Sequence, residues 1–313
     1  MQQQKMTDAM HERNTYWTRE RECEQLFAGT GPYYMVTTAQ QDWLLYKSRE
    51  EFIAGTNMVA VSAALSGFTI VDDVQMNNHH HMIGYGSVGT VESFVEILRE
   101  KGRRLQLALG NRSLKDWNIR IDETADLRQF RNQVGYVDRN AFVARRDSTP
   151  TGYPWGSAYL FFNGNLWMQQ EGKPWGELSI ARRRDVCRSH DVCLPERYRV
   201  LDRMILRSSF VDYERTESLF NSANQYFSML TRHGEADIEI ARLLGEGIQL
   251  PNEEVFQIVG GWFPGQKIST MSMEEKFVAA RKMKKQLGCT NKQIVQILQL
   301  APNMVDQLFP HPR

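Results

Sequence analysis

Apolar positions recur at two different periods through the first half of the chain. Tyr33-Tyr34-Met35-Val36-Thr37-Thr38 is aromatic and β-branched, follows Gly31-Pro32, and predicts a strand. Ser48 to Ala64 opens with Ser and acidic residues, then sets Phe52, Ile53, Val59, Ala60, Ala63 and Ala64 at helical spacing. After Gly67, the runs Phe68–Val71 and His79–Tyr85 predict two short extended segments. Thr90 is placed to cap a helix with the apolar face Val91, Phe94, Val95 and Leu98. Trp117–Ile121 predicts a further strand. Asp126–Ala144 predicts a long helix, acidic at its start and basic at its end, as the macrodipole favours. The order β-α-β-β-α-β with one more helix predicts an α+β fold with an antiparallel sheet, of the ferredoxin-like (split βαβ) kind.

The turn-rich stretch Thr149–Gly156 is expected to wrap back over this first domain. Beyond Leu194-Pro195 the periodicity is helical only, with segments at 200–207, 214–230, 237–244, 252–259, 273–287, 290–298 and 303–309 separated by Gly and Pro. The predicted organisation is an N-terminal extension (1–27), an α+β domain (28–170), a linker (171–195) and an all-α domain (196–313). Thr290 and Gln293 form a capping-box start, and the last three segments (273–310) have the spacing of a helix-turn-helix. Lys276, Arg281, Lys282, Lys284 and Lys285 share the first of these segments. That makes it a DNA-binding candidate, with a packing or protein-contact module as the equal alternative.

Composition narrows the class. The 313 residues are 42% hydrophobic and 24% charged, which suits about two globular domains and excludes a disordered or fibrous chain. Lys+Arg 38 against Asp+Glu 37 leaves a net charge of +1 and excludes a wholly basic coat protein. The balance is not uniform: between Arg99 and Arg146 twelve Lys/Arg face six Asp/Glu. Four scattered cysteines make no disulfide framework. The polar N-terminus lacks the apolar core of a signal peptide, and the stretch Met58–Val71 is too interrupted to span a bilayer. A cytoplasmic, nucleoid-associated protein with no membrane partner is expected.

Three motif-like patterns fail on chemistry. Gly84–Gly89 spells G-x-G-x-x-G, but polar Asn78-His79-His80-His81 precedes it and no carboxylate follows at the distance a ribose requires. In Gly260–Lys267, Gln266 separates Gly265 from the lysine, and no Ser or Thr follows. Cys187, His190 and Cys193 supply three ligands where structural zinc takes four.

The informative segment is Met76-Asn77-Asn78-His79-His80-His81. In a strand, His79 and His81 share one face and His80 takes the other, so two imidazoles can hold a divalent cation with positions left open. With 7 histidines in 313 residues an H-x-H arises by chance in roughly one such chain in six, and alone it equally fits a polar strand. Tyr136 and Asn140 lie four apart, on one helical face. A histidine pair on a strand followed by a tyrosine and an amide on a later helix says more than either part.

Together these blocks resemble the single-tyrosine HUH transposases, in particular their REP-associated branch. Met76–His81 is similar to the family's M-x-N-H-x-H block and Tyr136-Val137-Asp138-Arg139-Asn140 to its Y-[IV]-x-x-N block. Tyr153-Pro154-Trp155-Gly156-Ser157 resembles Y-x-W-S-S, and Tyr34–Thr38 the first strand's Y-H-V-T-T. The resemblance covers about residues 30–165 and departs at Met35 and Ala141, where the family has His and Pro. It implies a transposase-like, metal-dependent DNA endonuclease and strand transferase, active in DNA transposition and recombination. His79, His81 and Asn140 would hold Mg²⁺ or Mn²⁺, and Tyr136 would form a 5′-phosphotyrosine. The implied partner is single-stranded DNA with hairpin or palindromic repeats, bound by a monomer or homodimer. Arg128, Arg131, Arg139, Arg145 and Arg146 are candidate phosphate contacts. The alternatives are a domesticated hairpin DNA/RNA-binding protein that does not cut, and a replication-initiator or relaxase-type HUH nuclease. The second is disfavoured by the missing helicase P-loop and missing second tyrosine.

Overall fold

Local sequence signals start and stop the elements that carry the sheet. The computed structural model describes residues 2–41, 43–111, 114, 117–144, 149–166, 172–190, 193–231 and 252–310. A long helix α1 (Gln2–Thr30) leads into β1 (Tyr33–Thr38). Ser48 caps α2 (Arg49–Ser66) by accepting from Glu51 N, and Gly67 ends it in the left-handed conformation, φ 76°, that a side chain would strain. The chain continues through β2 (Thr69–Gln75), β3 (His80–Tyr85), α3 (Val88–Ala108), β4 (Ile119–Thr124) and α4 (Leu127–Ala144). Helix α3 is capped one turn earlier than expected, by Ser87 and not Thr90; Ser87 accepts from Thr90 N. At α4, Asp126 Oδ1 accepts from Gln129 N while Gln129 Oε1 accepts from Ala125 N, a reciprocal cap.

The four strands form one sheet in the order β2-β3-β1-β4, every pair antiparallel. The protein is therefore α+β with a small antiparallel sheet. Helices α2 and α3 pack on each other, α4 packs against β2, β3 and β4, and Tyr46, beside Phe52 of α2, bonds His80. His81 turns instead to Tyr136 of α4, so the sheet is covered on both faces.

The first core does not stop at residue 170. It runs from Cys23 to Leu230 and takes in Trp175, Val186 and Cys187 of the expected linker. Helix α5 (Ile180–Cys187) and a small second sheet of β5 (Lys173–Pro174), β6 (Arg199–Leu201) and β7 (Met204–Ile205) occupy this stretch. The helix expected at 200–207 is thus a hairpin. Asp202 and Arg203 both take positive φ, 54° and 118°, in a two-residue turn. Asn57 of α2 holds that turn, donating to Arg203 O at 2.7 Å and accepting from Ile205 N at 2.8 Å. A tertiary partner 146 residues away in sequence, not a turn motif, decides the conformation. Arg207 seals the junction: fully buried, it pairs with Asp73 at 3.0 Å and donates to Trp155 O and Thr56 Oγ1. Short helices α6 (Arg207–Phe210) and α7 (Tyr213–Ser218) follow, and residues 223–231 are helical (α8).

A second core joins α9 (Asn252–Trp262), α10 (Met273–Leu287), α11 (Asn291–Leu298) and α12 (Pro302–Leu308) around Val255, Ala279, Met283, Ile294, Leu298 and Val305. Capping boxes at Ser272/Glu275 and Thr290/Gln293 open α10 and α11. The helix expected at 237–244 lies outside the described residues. Among the described residues, no helix is long and apolar enough to cross a membrane.

Candidate functional site

The register of the sheet creates a row of side chains on the α4 face. Thr37 lies opposite His81 on one side and opposite Arg120 on the other, and directly opposed residues of a sheet share a face. His79 stands beside His81, ring centroids 4.8 Å apart and nearly perpendicular. Tyr136, from α4, sets its ring 5.1 Å from that of His81 at 79°. Thr37, Thr38, Ala39, Gln40, His79, His81, Asn118, Arg120 and Tyr136 line a cleft of about 330 Å³. The two histidines and the tyrosine, 55 residues of chain apart between His81 and Tyr136, therefore meet within one chain.

Each imidazole is held from behind. Asn78 Nδ2 donates to Gln41 O at 2.8 Å, which turns Asn78 Oδ1 toward His79 Nδ1, also at 2.8 Å. That contact puts a proton on His79 Nδ1 and leaves its Nε2 lone pair free. Thr37 Oγ1 lies 3.2 Å from His81 Nδ1, while His81 Nε2 is buried without a partner. Burial, with a smaller contribution from Lys292, lowers the pKa of His79 to about 4. Burial, then His79 and Arg120, lowers that of His81 to about 3. Both rings are neutral at physiological pH, the state a metal ligand needs. His80 faces the other way, its Nε2 2.8 Å from Tyr46 Oη, and is a core residue.

The remaining expected site residues divide. Tyr136 is 46% exposed and free to meet a substrate. Asn140 does share its turn but is buried, and its Nδ2 donates to Tyr136 O at 2.8 Å; it is not among the residues lining the cleft. Arg131 is not a phosphate contact. It is buried, paired with Glu20 at 2.8 Å and bonded to Leu219 O, where it ties α4 to α1 and to the end of α7. Arg139 is half-buried with its Nε on Gly135 O, whereas Arg128 is exposed. Arg145 and Arg146 lie outside the described residues.

Sequence reasoning missed Arg120 and Thr37, because only the strand register reveals which residues share the histidines' row. It also missed a buried acid pair under α4. Asp138 Oδ2 accepts from Tyr226 Oη at 2.7 Å and Asp72 Oδ1 accepts from Ser157 Oγ at 2.7 Å. Burial raises Asp138 to about 7 against the pull of the Tyr226 bond. Burial and the charge of Asp138 raise Asp72 well above the carboxylate range. Two residues from Tyr136, Asp138 anchors the opposite face of its helix. No family model, curated protein or solved structure matches the chain.

Proposed function

We propose that the chain is a metal-dependent DNA strand transferase of the single-tyrosine HUH type, cutting single-stranded, hairpin-containing DNA through a 5′-phosphotyrosine. The observation that carries this reading is the placement of an exposed phenol 5.1 Å, ring to ring, from one of two paired, neutral imidazoles. The strand order and antiparallel pairing agree with a split βαβ fold.

A divalent cation fits the donor set. His81 Nε2 is a buried nitrogen with no protein partner, and His79 offers a second. Mn²⁺ or Mg²⁺ held by His79 and His81 would supply Lewis-acid polarisation of a phosphodiester oxygen. Asn140, whose bond to Tyr136 O uses only the amide nitrogen, is buried outside the cleft lining and would complete the set only by bringing its Oδ1 into the cleft. Thr37 and Asn78 fix the orientation of the two rings. Tyr136 Oη attacks phosphorus and loses its proton; the P–O3′ bond breaks, and the departing 3′-oxygen takes up a proton. The linkage conserves the bond energy, so a 3′-hydroxyl can reverse the step on another end and join strands.

The helical body supports DNA recognition less well than its charge implies. Lys276 is buried, Lys282 Nζ sits 4.1 Å from the Trp262 ring centroid, and Lys284 bonds Asn291 and covers Phe309. Arg281 and Lys285 alone among the five are exposed without such a contact. In α12, Asp306 sits between the exposed Asn303 and Gln307, and it accepts from Asn291. We therefore read 273–310 as a helix-turn-helix-like body whose main task is packing.

A second reading, a hairpin binder that does not cut, is favoured by the place of Asn140, buried and outside the residues that line the cleft. Incubating a hairpin oligonucleotide with the protein and Mn²⁺ separates the two. An adduct that survives denaturation and is absent from Tyr136→Phe supports the transferase; tight retention without an adduct supports the binder.

A further inference from the structure

The row of side chains that includes His81 has unlike ends. Across the sheet it reads Val74–His81–Thr37–Arg120, from β2 through β3 and β1 to β4. Val74 is buried, and the outer edge of β2 beside it is covered. Val74 bridges to Gly156, Gln75 N donates to Trp155 O at 2.8 Å, and Ser157 N donates to Asp73 O at 2.9 Å. At the other end, among the described residues, β4 pairs with β1 alone. The row is closed at β2 and open at β4.

Arg120 stands on that open edge and lines the cleft together with Thr37, His81 and Tyr136. Its side chain is 69% exposed. Asp122, two residues on and therefore on the same face of the strand, pairs with its Nε at 2.7 Å. That pair orients the guanidinium over β4 and leaves the two terminal nitrogens for another anion. Two strand spacings separate Arg120 from His81, roughly 10 Å between their backbones. The rest of the wall offers hydroxyls and amides, from Thr37, Thr38, Gln40 and Asn118. Among the described residues no carboxylate lines the cleft, and Arg120 is the one lysine or arginine that does.

We propose that Arg120 is a positioning residue: it holds the backbone phosphate next to the one at His79, His81 and Tyr136, so that the single strand leaves the site across the β4 edge. This rests on the transferase reading and deepens it, because it gives the substrate path one open side. The planar fork suits a phosphate that presents two oxygens. Seating the neighbouring phosphate sets the scissile one against Tyr136 without any contact between Arg120 and the reacting atoms.

The test uses the full chain in a Tyr136→Phe background, where no adduct forms, with a fluorescently labelled single-stranded oligonucleotide. Anisotropy titrations at several salt concentrations give the slope of log K against log salt. Arg120→Gln is expected to flatten the slope by about 0.7, the loss of one phosphate contact on a single strand. Arg120→Lys keeps the charge and should keep the slope. Arg104→Gln should keep it too, since Arg104 is exposed on α3 and outside the cleft lining. Circular dichroism melts confirm that each variant is folded. An Arg120→Gln slope equal to the parent's overturns the proposal. Equal flattening by Arg104→Gln or by Arg120→Lys overturns it as well, the first because the effect would then belong to the whole surface. Because cleavage is scored separately with Tyr136 restored, the readings fail separately. Adducts with an unchanged slope remove the phosphate contact alone, and a flattened slope without adducts removes the cutting while leaving the contact.

Discussion

Thr37 and His81 face each other across the β1–β3 ladder, Oγ1 to Nδ1 at 3.2 Å, and this contact is the only hydrogen bond found for the His81 ring among the described residues. A hydroxyl behind a ligating imidazole fixes which way the ring points and which nitrogen presents its lone pair. Thr37→Val keeps the β-branched shape that the strand favours and removes only the hydroxyl. Mn²⁺ affinity measured by calorimetry should fall roughly 10–100-fold, with the melting curve little changed. Unaltered affinity in a folded Thr37→Val protein would show that the hydroxyl does not orient His81 for a cation.

The cleft offers a cation two neutral imidazoles and no carboxylate among its lining residues. A hard divalent ion prefers charged oxygen, so a substrate phosphate is the natural source of the missing negative charge. Mn²⁺ and a single-stranded oligonucleotide should therefore bind cooperatively, each tightening the other by the same factor, because the coupling free energy is reciprocal. Titrating metal with and without oligonucleotide, and oligonucleotide with and without metal, measures both factors. Independent binding would place the phosphate away from the imidazoles.

Arg207 and Asp73, 134 residues apart in sequence, form a buried ion pair that locks the β6–β7 region onto β2. Removing one partner strands a charge in the interior. Arg207→Ala should cost about 3–5 kcal/mol in urea unfolding, and a matched apolar replacement of both residues should recover most of it. A cost below about 1 kcal/mol for Arg207→Ala would mean that water or another cation reaches Asp73.

The same pair explains where the sequence was legible and where it was not. Helices α2, α10 and α11 carry their own boundaries in Ser48, Gly67, Ser272, Thr290 and Gly288, and a local reading finds them within a few residues. Alternation along a strand placed His79 and His81 together and His80 apart, as the rings show. The limit at residue 170 failed because Arg207, Asn57 and Trp175 act over long separations. A buried arginine looks in sequence like any surface arginine. Arg131 was misread for the same reason: helical position gave its neighbours, not the Glu20 carboxylate that α1 delivers.

Asp138 makes stability depend on pH in an unusual direction. Its pKa is raised from the 3.8 of an exposed carboxyl to about 7, chiefly by burial. Between those values the folded chain keeps a proton that the unfolded chain has lost. Stability from this group is therefore fully present below about pH 4 and disappears as pH rises to about 7. His79, His80 and His81 act oppositely: their depressed pKa values make folding less favourable as pH falls below the ordinary histidine value of 6.5. Asp138→Asn removes this group's share of the first trend, leaving that of buried Asp72 and the second trend, while its amide oxygen can still accept from Tyr226 Oη. The variant should melt several degrees higher than the parent at pH 8, by a smaller margin at pH 5, and about level with it at pH 4. Tyr226→Phe, which deletes the bond that favours the ionised carboxyl, lifts the folded pKa further and should carry the parent's loss of stability to a higher pH. Equal pH 8 and pH 5 differences in parent and Asp138→Asn would mean that the carboxyl titrates normally and that α4, with Tyr136 on its outer face, is not held by a protonated acid.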